Sequence, residues 1–436
     1  MGKGDISIVV IGQVNSGKST TIGHIIHLCG GVTRSALDDF EKEGAELGKS
    51  SMKYAWVLDS TQDERERGNT MDLSLYRMHI SERTFTILDT PGHQDFIKHT
   101  ISGAFLADCA ILQVVVDADE YETDVSESGQ TSEHAALAFT LGVRQLIVTI
   151  NKMDIANWSE GQYGEVVRRT SNLIKRIGFN PKNVPFIPIS GWHGDNLIFV
   201  SANMPWYKGW EANNASGKTL LEAIQALNTP HRSSDKPLRL PLFDVQFDGT
   251  RTMAMGRVET GIIKVGMTVN IAPSDITTRV KSIEWQGIEL TKASAGDFVS
   301  LAFEDELISE ACPGYVCSNP KDNPASDTAS FIAQVILLNH PVDIRVGYTA
   351  DVYCHTTHVT CEFAELIEKI DRRTGESAGL SPESVRSGEA CIAKLIPSDP
   401  ICAESFKDCP PLGRFAILDD EGRTVGLGVI KSVDKK

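Results

Sequence analysis

Up to about residue 230 the chain alternates short, almost unbroken apolar runs with longer stretches in which apolar residues recur at helical spacing. The runs are ISIVVIG, TFTILDT, CAILQVVVD, QLIVTINKMD and VPFIPIS. Apolar strands without alternation are buried on both faces, so this half predicts a parallel sheet covered by helices. Each run ends in polar or glycine-containing residues, and in an open α/β sheet ligands gather beyond the carboxyl ends of the strands. The candidate motifs are therefore expected on one rim.

After the polar, proline-containing HRSSDKPLRLP the helical spacing nearly vanishes. Short β-branched runs separated by glycine turns replace it, as in GRVETGIIKVGMTVNIAP, which is the texture of a small β-barrel. A second polar stretch, SNPKDNPASD, precedes another strand-rich segment that runs to LGVIKSVDKK. The expected architecture is an α/β nucleotide-binding domain followed by two antiparallel β-barrel domains, with bounds at 1–232, 237–325 and 328–436. A length of 436 residues suits that count.

Composition narrows the picture further. The chain carries 42 basic and 58 acidic residues, a net charge of -16, so there is no general pull towards nucleic acid or an anionic membrane, and any such contact needs a local basic patch. Nine cysteines lie between Cys29 and Cys409 without a C-x-x-C pair, which reads as free thiols in a reducing compartment, favouring the cytoplasm. No run approaches a membrane span, and MGKGDISIVV has no signal-peptide core.

The chemistry starts at GQVNSGKST, which fits G-x-x-x-x-G-K-[ST]. Between Gly12 and Gly17, through Gln13, Val14, Asn15 and Ser16, backbone N–H groups can cradle phosphate oxygens. Lys18 can reach the β and γ phosphates, Ser19 can ligate Mg²⁺, and Thr20 completes the stretch. The position after an apolar strand, opening a helical pattern, raises the motif above a simple glycine turn.

Two further motifs close later strands. In DTPGH, Asp89 is placed to hold the metal through water, and Gly92 can offer its N–H to a γ-phosphate. In NKMD, with Asn151 and Lys152, Asp154 can accept from both the ring N–H and the exocyclic amine of guanine, a pair that adenine does not offer. Ser190, Gly191 and Trp192 end the next strand and can complete the base pocket. Within DERERGNT, a charge run that by itself reads as solvated surface, Thr70 can supply a hydroxyl to Mg²⁺ and an N–H to the γ-phosphate.

The stretches KYAWVLD, RERGNT, DTPGHQDFIK, LGVRQLIVTINKMD, ANMPWYKGW, KPLRLPL, GRVETG, FAELIEKIDRRTG and PPLGRFAILD carry a resemblance over essentially the whole chain. It resembles the eukaryotic elongation factor 1-alpha family of translational GTPases. The resemblance implies GTP and GDP as ligands with Mg²⁺, and in-line attack of water on the γ-phosphate. It also implies aminoacyl-tRNA and the ribosome as partners, with an exchange factor. The family's catalytic His, which positions the attacking water, is matched by His93.

Departures from the family pattern fall at chemically loaded positions. Gln13 and Asn15 stand where the family has His and Asp, keeping polarity while losing a formal charge. Asn69 replaces the Ile of RGIT, which with the residue matched by Val14 forms an apolar gate beside the catalytic His. The second domain has Gln286 and Gly287 in place of a His pair, and Cys312 to Gly314 in place of a basic RRG triplet near the aminoacyl end of tRNA. These losses keep an alternative open: a divergent paralogue that binds guanine nucleotide but acts as a regulatory or cytoskeleton-associated protein. The joint survival of the switch and base-reading motifs favours delivery.

Three features have plain structural readings. CHTTHVTC, Cys354 to Cys361, holds two Cys and two His, but strand alternation sends neighbours to opposite faces, so no structural metal is expected there. His24 and His27 read as packing or surface residues. Trp206 and Trp210 read as anchors rather than a platform for bases.

Overall fold

The structure, a computed structural model, describes residues 5–59, 62–67, 70–116, 129–247, 252–274, 276–304, 311–338, 342–372 and 374–436. Asn69 lies outside the described residues. The chain divides into two compact units, Met1–Pro230 and His231–Lys436.

The first unit is built on a six-stranded sheet of β1 (Ile6–Ile11), β2 (Ser74–Ile80), β3 (Arg83–Asp89), β4 (Cys109–Val115), β5 (Gln145–Asn151) and β6 (Phe186–Pro188), in the order β2-β3-β1-β4-β5-β6. The helices used below are α1 (Lys18–Leu28), α2 (Ile97–Phe105), α3 (Gln130–Leu141) and α4 (Glu160–Ile177). All residues of β1 and β4 are buried, as their unbroken apolar runs require. The five expected strands are parallel, and β2 is an addition, running antiparallel to β3 at the edge. A two-residue turn with Ser81 at φ 56 joins β2 to β3, too short for a crossover and therefore antiparallel. Strand order reverses between β1 and β4, so the rim beside β1 is the crevice where such sheets place ligands.

The second unit contains two closed antiparallel barrels of six strands each, with a short seventh strand on each sheet. In the first, Thr268–Ala272 pairs with both Val316–Ser318 and Ile276–Trp285, which closes the ring. In the second, Thr349–Cys354 closes the ring by pairing with Thr357–Ile370 and Arg414–Leu418. Leu240, Ile271 and Leu301 fill the first interior and Phe331, Phe363 and Phe415 the second. Arg239 leads into the first barrel and meets Glu404 of the second in a buried ion pair at 2.8 Å. Beside it Thr356 Oγ1 donates to Leu242 O at 2.7 Å.

The side chains of CHTTHVTC have separate partners. Cys354 and Cys361 sit in the barrel core, His355 bonds Cys402 O at 2.9 Å, and His358 contacts Asp351 at 3.3 Å. Gln286 and Gly287, at φ 48 and 78, form the tight turn of an exposed hairpin between Trp285 and Ile288. Seven of the nine cysteines are buried, and Cys29 and Cys312 are exposed. Among the described residues no helix is long and apolar enough to cross a membrane.

Candidate functional site

A cavity of about 490 Å³ opens on the rim beside β1. Val14, Asn15, Gly17, Lys18, Ser19, Thr20, Thr70, Gly92 and His93 line it, and Asn151, Lys152, Asp154 and Trp192 continue the wall. The motifs spread over the first half of the chain thus meet at one place. Gly12, Gln13, Ser16, Asp89, Ser190 and Gly191 stand behind this lining and hold it.

The Gly12–Thr20 loop is shaped by its glycines and by bonds to its backbone. Gly12 has φ 142, where a Cβ would collide with Gln113 O, and Gly17 has φ 87 as N-cap of α1. Asn15 takes φ 60, a left-handed conformation that Asn tolerates better than most residues, so this departure suits the loop. The first turn of α1 contains no acidic residue, leaving its N-terminal dipole uncancelled for an anion. Lys18 is buried and donates to Gly12 O at 3.0 Å and Gln13 O at 2.8 Å.

Opposite the loop, Ser19 Oγ donates to Asp89 Oδ2 at 2.5 Å and lies 3.0 Å from Thr70 Oγ1, which itself donates to Asp59 Oδ1 at 2.9 Å. Asp89 is fully buried, and its Oδ1 has no hydrogen-bond partner. Burial raises its pKa to about 6, against the opposing pull of the Ser19 hydroxyl and Lys18. Asp59 is pushed up to about 7, first by burial and then by the charge of Asp89. Glu64 Oε1 accepts the N–H groups of Met71 and Asp72 and so fixes the chain just after Thr70.

Gly92 packs tightly on the loop: an added Cβ would lie 2.5 Å from Lys18 Nζ and 2.6 Å from Val14 N. The absence of a side chain is what lets its backbone come this close to the loop. Half-exposed His93 caps the next turn, its Nδ1 accepting from Asp95 N–H at 3.3 Å, which puts the neutral ring's proton on Nε2. Gln130, at the start of α3, reaches this segment too. In one amide orientation it donates to Gly92 O at 3.2 Å and accepts from Gln94 N–H at 3.3 Å.

At the other end of the cavity Asn151 joins two loops: Nδ2 donates to Ser16 O at 2.7 Å and Oδ1 accepts from Gly191 N–H at 2.8 Å. Its amide is occupied with those loops, while Asp154 stands half-buried at the cavity wall. Ser190 Oγ accepts from His193 N–H at 3.2 Å, and Trp192 meets Tyr54 edge-on at 5.5 Å. His24 stacks on Tyr54 at 4.0 Å and bonds Gly191 O at 2.8 Å, and His27 bonds Val32 O at 3.0 Å, so both pack rather than bind. Trp206 donates to Trp158 O and Trp210 to Thr219 O, which makes both anchors.

The family description "Elongation factor Tu GTP binding domain" matches residues 3–230, and "GTP-eEF1A C-terminal domain-like" matches residues 330–431. Elongation factor 1-alpha of Mucor circinelloides f. lusitanicus is 54% identical over 438 residues, which cover 99% of this chain and 95% of that protein. The chain belongs to the elongation factor 1-alpha family. Elongation factor 1-alpha of Aspergillus oryzae is likewise 54% identical, over 100% of this chain and 96% of its own length. This family member is a GTP-binding translation elongation factor and a GTPase. The S. cerevisiae Ski7 GTPase-like domain, bound to GDP and inorganic phosphate, superposes with a TM-score of 0.79 over 98% of this chain and 97% of that one. At 16% identity that likeness shows the fold alone.

Several residues of this elongation factor site escape motif reading. Asp59 sits inside KYAWVLD and carries no spacing signal. His134 lies under the loop, its Nδ1 accepting from Gly12 N–H at 3.3 Å, and burial drops its pKa to about 3. Gln113 alone left a trace, as an amide within the apolar run CAILQVVVD.

Proposed function

We propose that this GTPase delivers aminoacyl-tRNA to the ribosome in the cytoplasm, binding the tRNA when loaded with GTP and releasing it after hydrolysis to GDP. The convergence of Lys18, Ser19, Thr70, Gly92, His93 and Asp154 on one cavity, with Asp89 bonded to Ser19 behind it, carries the reading. The same reading divides the chain at 1–232, 237–325 and 328–436.

Mg²⁺ fits the hydroxyl and carboxylate cluster. With ionised carboxylates, the protons of Ser19 and Thr70 are spent on Asp89 and Asp59, so the two hydroxyl oxygens 3.0 Å apart face each other with lone pairs. A hard cation suits that oxygen set and the unpartnered Asp89 Oδ1. Ser19 and Thr70 would hold it directly and Asp89 through water. When bound, it neutralises charge that develops on the phosphates.

The chain's own groups do the rest. The Gly12–Thr20 backbone and Lys18 bind and orient the phosphates, and the Gly92 N–H reads the last of them. His93 positions the attacking water in line with the bond that breaks. Asp154 selects guanine, with Lys152 and the Ser190 to Trp192 loop as the pocket wall.

Binding of aminoacyl-tRNA to the GTP-loaded and GDP-loaded protein, at several salt concentrations, tests delivery. Binding confined to the GTP state is expected. Equal or absent binding in the two states, with GTP still held, would overturn it and shift Gln286, Gly287 and Cys312 from tuning to loss.

A further inference from the structure

Gln113 is fully buried in β4, between β1 and β5, where a polar side chain must find partners or destabilise the sheet. Its Nε2 donates to Ser16 O at 2.7 Å, the same carbonyl that accepts from Asn151 Nδ2 at 2.7 Å. Its Oε1 accepts from Thr149 Oγ1 at 3.5 Å, and Thr149 is its register partner across the parallel pair β4 and β5. Thr149 therefore decides which end of the amide faces the loop.

The carbonyl that these amides capture controls a donor. A trans peptide points its C=O and N–H in opposite directions, so holding Ser16 O against the sheet turns the Gly17 N–H outward, towards the cavity that Gly17 lines. Both amides press on Gly17 itself: an added Cβ would lie 2.6 Å from Asn151 Nδ2 and 3.3 Å from Gln113 Nε2. We infer that Gln113, oriented by Thr149, is a positioning residue that preorganises the Ser16–Gly17 peptide to donate to nucleotide phosphate. Asn151 makes the same bond but is also tied to the base-side loop, so Gln113 supplies a hold on the phosphate loop that does not depend on the base.

The inference rests on Gly12–Thr20 being the phosphate loop, and the experiment separates the two. Release of a fluorescent GDP analogue is timed in the full chain for wild type, Gln113→Met, Thr149→Val and the double variant. Ile147→Val, in the same strand pairing, serves as a control for packing loss. Gln113→Met keeps the volume and removes both buried hydrogen bonds of the amide, of which the one to Ser16 O holds the loop, so release should quicken about tenfold. Thr149→Val should quicken it roughly threefold and add nothing to Gln113→Met. The control should release at the wild-type rate.

Wild-type rates in Gln113→Met, additive effects in the double variant, or equal acceleration in Ile147→Val would overturn the inference while leaving the phosphate-loop reading standing. A wild-type chain that retains no GDP would overturn both. If Gln113→Met does not fold, Thr149→Val decides the matter alone: an unchanged rate in it overturns the inference.

Discussion

Asp59 and Asp89 are joined by two hydroxyls: Thr70 Oγ1 donates to Asp59 at 2.9 Å, Ser19 Oγ donates to Asp89 at 2.5 Å, and the hydroxyl oxygens stand 3.0 Å apart. Three close contacts share two hydroxyl protons. Either a carboxyl proton or a cation must settle the difference, and the choice depends on pH.

Burial lifts the pKa of Asp59 to about 7 and that of Asp89 to about 6, from an ordinary 3.8. The folded chain then holds protons that the unfolded chain has already lost. Stability from these groups is present below the ordinary pKa and falls as pH rises through 6 and then 7, each tenfold change in proton affinity being worth about 1.4 kcal/mol. The metal-free melting temperature should fall between about pH 4 and about pH 7, and Mg²⁺ should raise it more at the upper end. Asp89→Asn should flatten both trends; a metal-free melting temperature that climbs over this interval would contradict the proton-holding role of the two carboxyls.

His93→Ala should lower single-turnover GTP hydrolysis by about a hundredfold or more while GDP affinity stays near wild type. The ring's hydrogen bond goes to Asp95 N–H and not to the Gly12–Thr20 loop, so binding and chemistry should separate. Rapid quenching for hydrolysis and equilibrium titration for binding read the two effects.

Asp154→Asn exchanges an acceptor for a donor at the cavity wall. GDP affinity should drop about a hundredfold or more, through loss of two charge-assisted bonds, and xanthosine diphosphate should become the better ligand. Competition between the two nucleotides measures the reversal. Retained preference for GDP would remove Asp154 from the base-reading role.

In the second unit, Arg239→Met should destabilise by about 3 to 5 kcal/mol, because it leaves Glu404 buried without its main counter-charge. Adding Glu404→Leu should restore most of that loss. Chemical denaturation of the four members of this cycle provides the coupling, and additive losses would mean that the pair is not the source.

Much of this site is legible because its motifs are local. GQVNSGKST, DTPGH and NKMD each pack a strand end and a loop into a few residues, and parallel order brings the strand ends together. The remaining partners depend on register and topology, which no short window contains. Gln113 acquires its role from standing opposite Thr149, and His134 from a helix that passes under Gly12. The antiparallel β2 and the closure of Thr268–Ala272 onto Ile276–Trp285 were hidden for the same reason: pairing is a property of two segments.

The distribution of the thiols sets how the chain meets oxidants and alkylating reagents. Burial pushes the Cys317, Cys361, Cys391 and Cys409 thiols up to about 12 and moves Cys354 and Cys402 in the same direction, so thiolate, the reactive form, is scarce in the barrels. Cys29 and Cys312, the two exposed cysteines, fall one in each unit. Partial burial raises the Cys29 thiol as well, so a maleimide reaction on the native protein should mark Cys29 slowly, mark Cys312, and leave the interior untouched, giving the unaltered sequence a pair of attachment points for distance measurements through the nucleotide cycle.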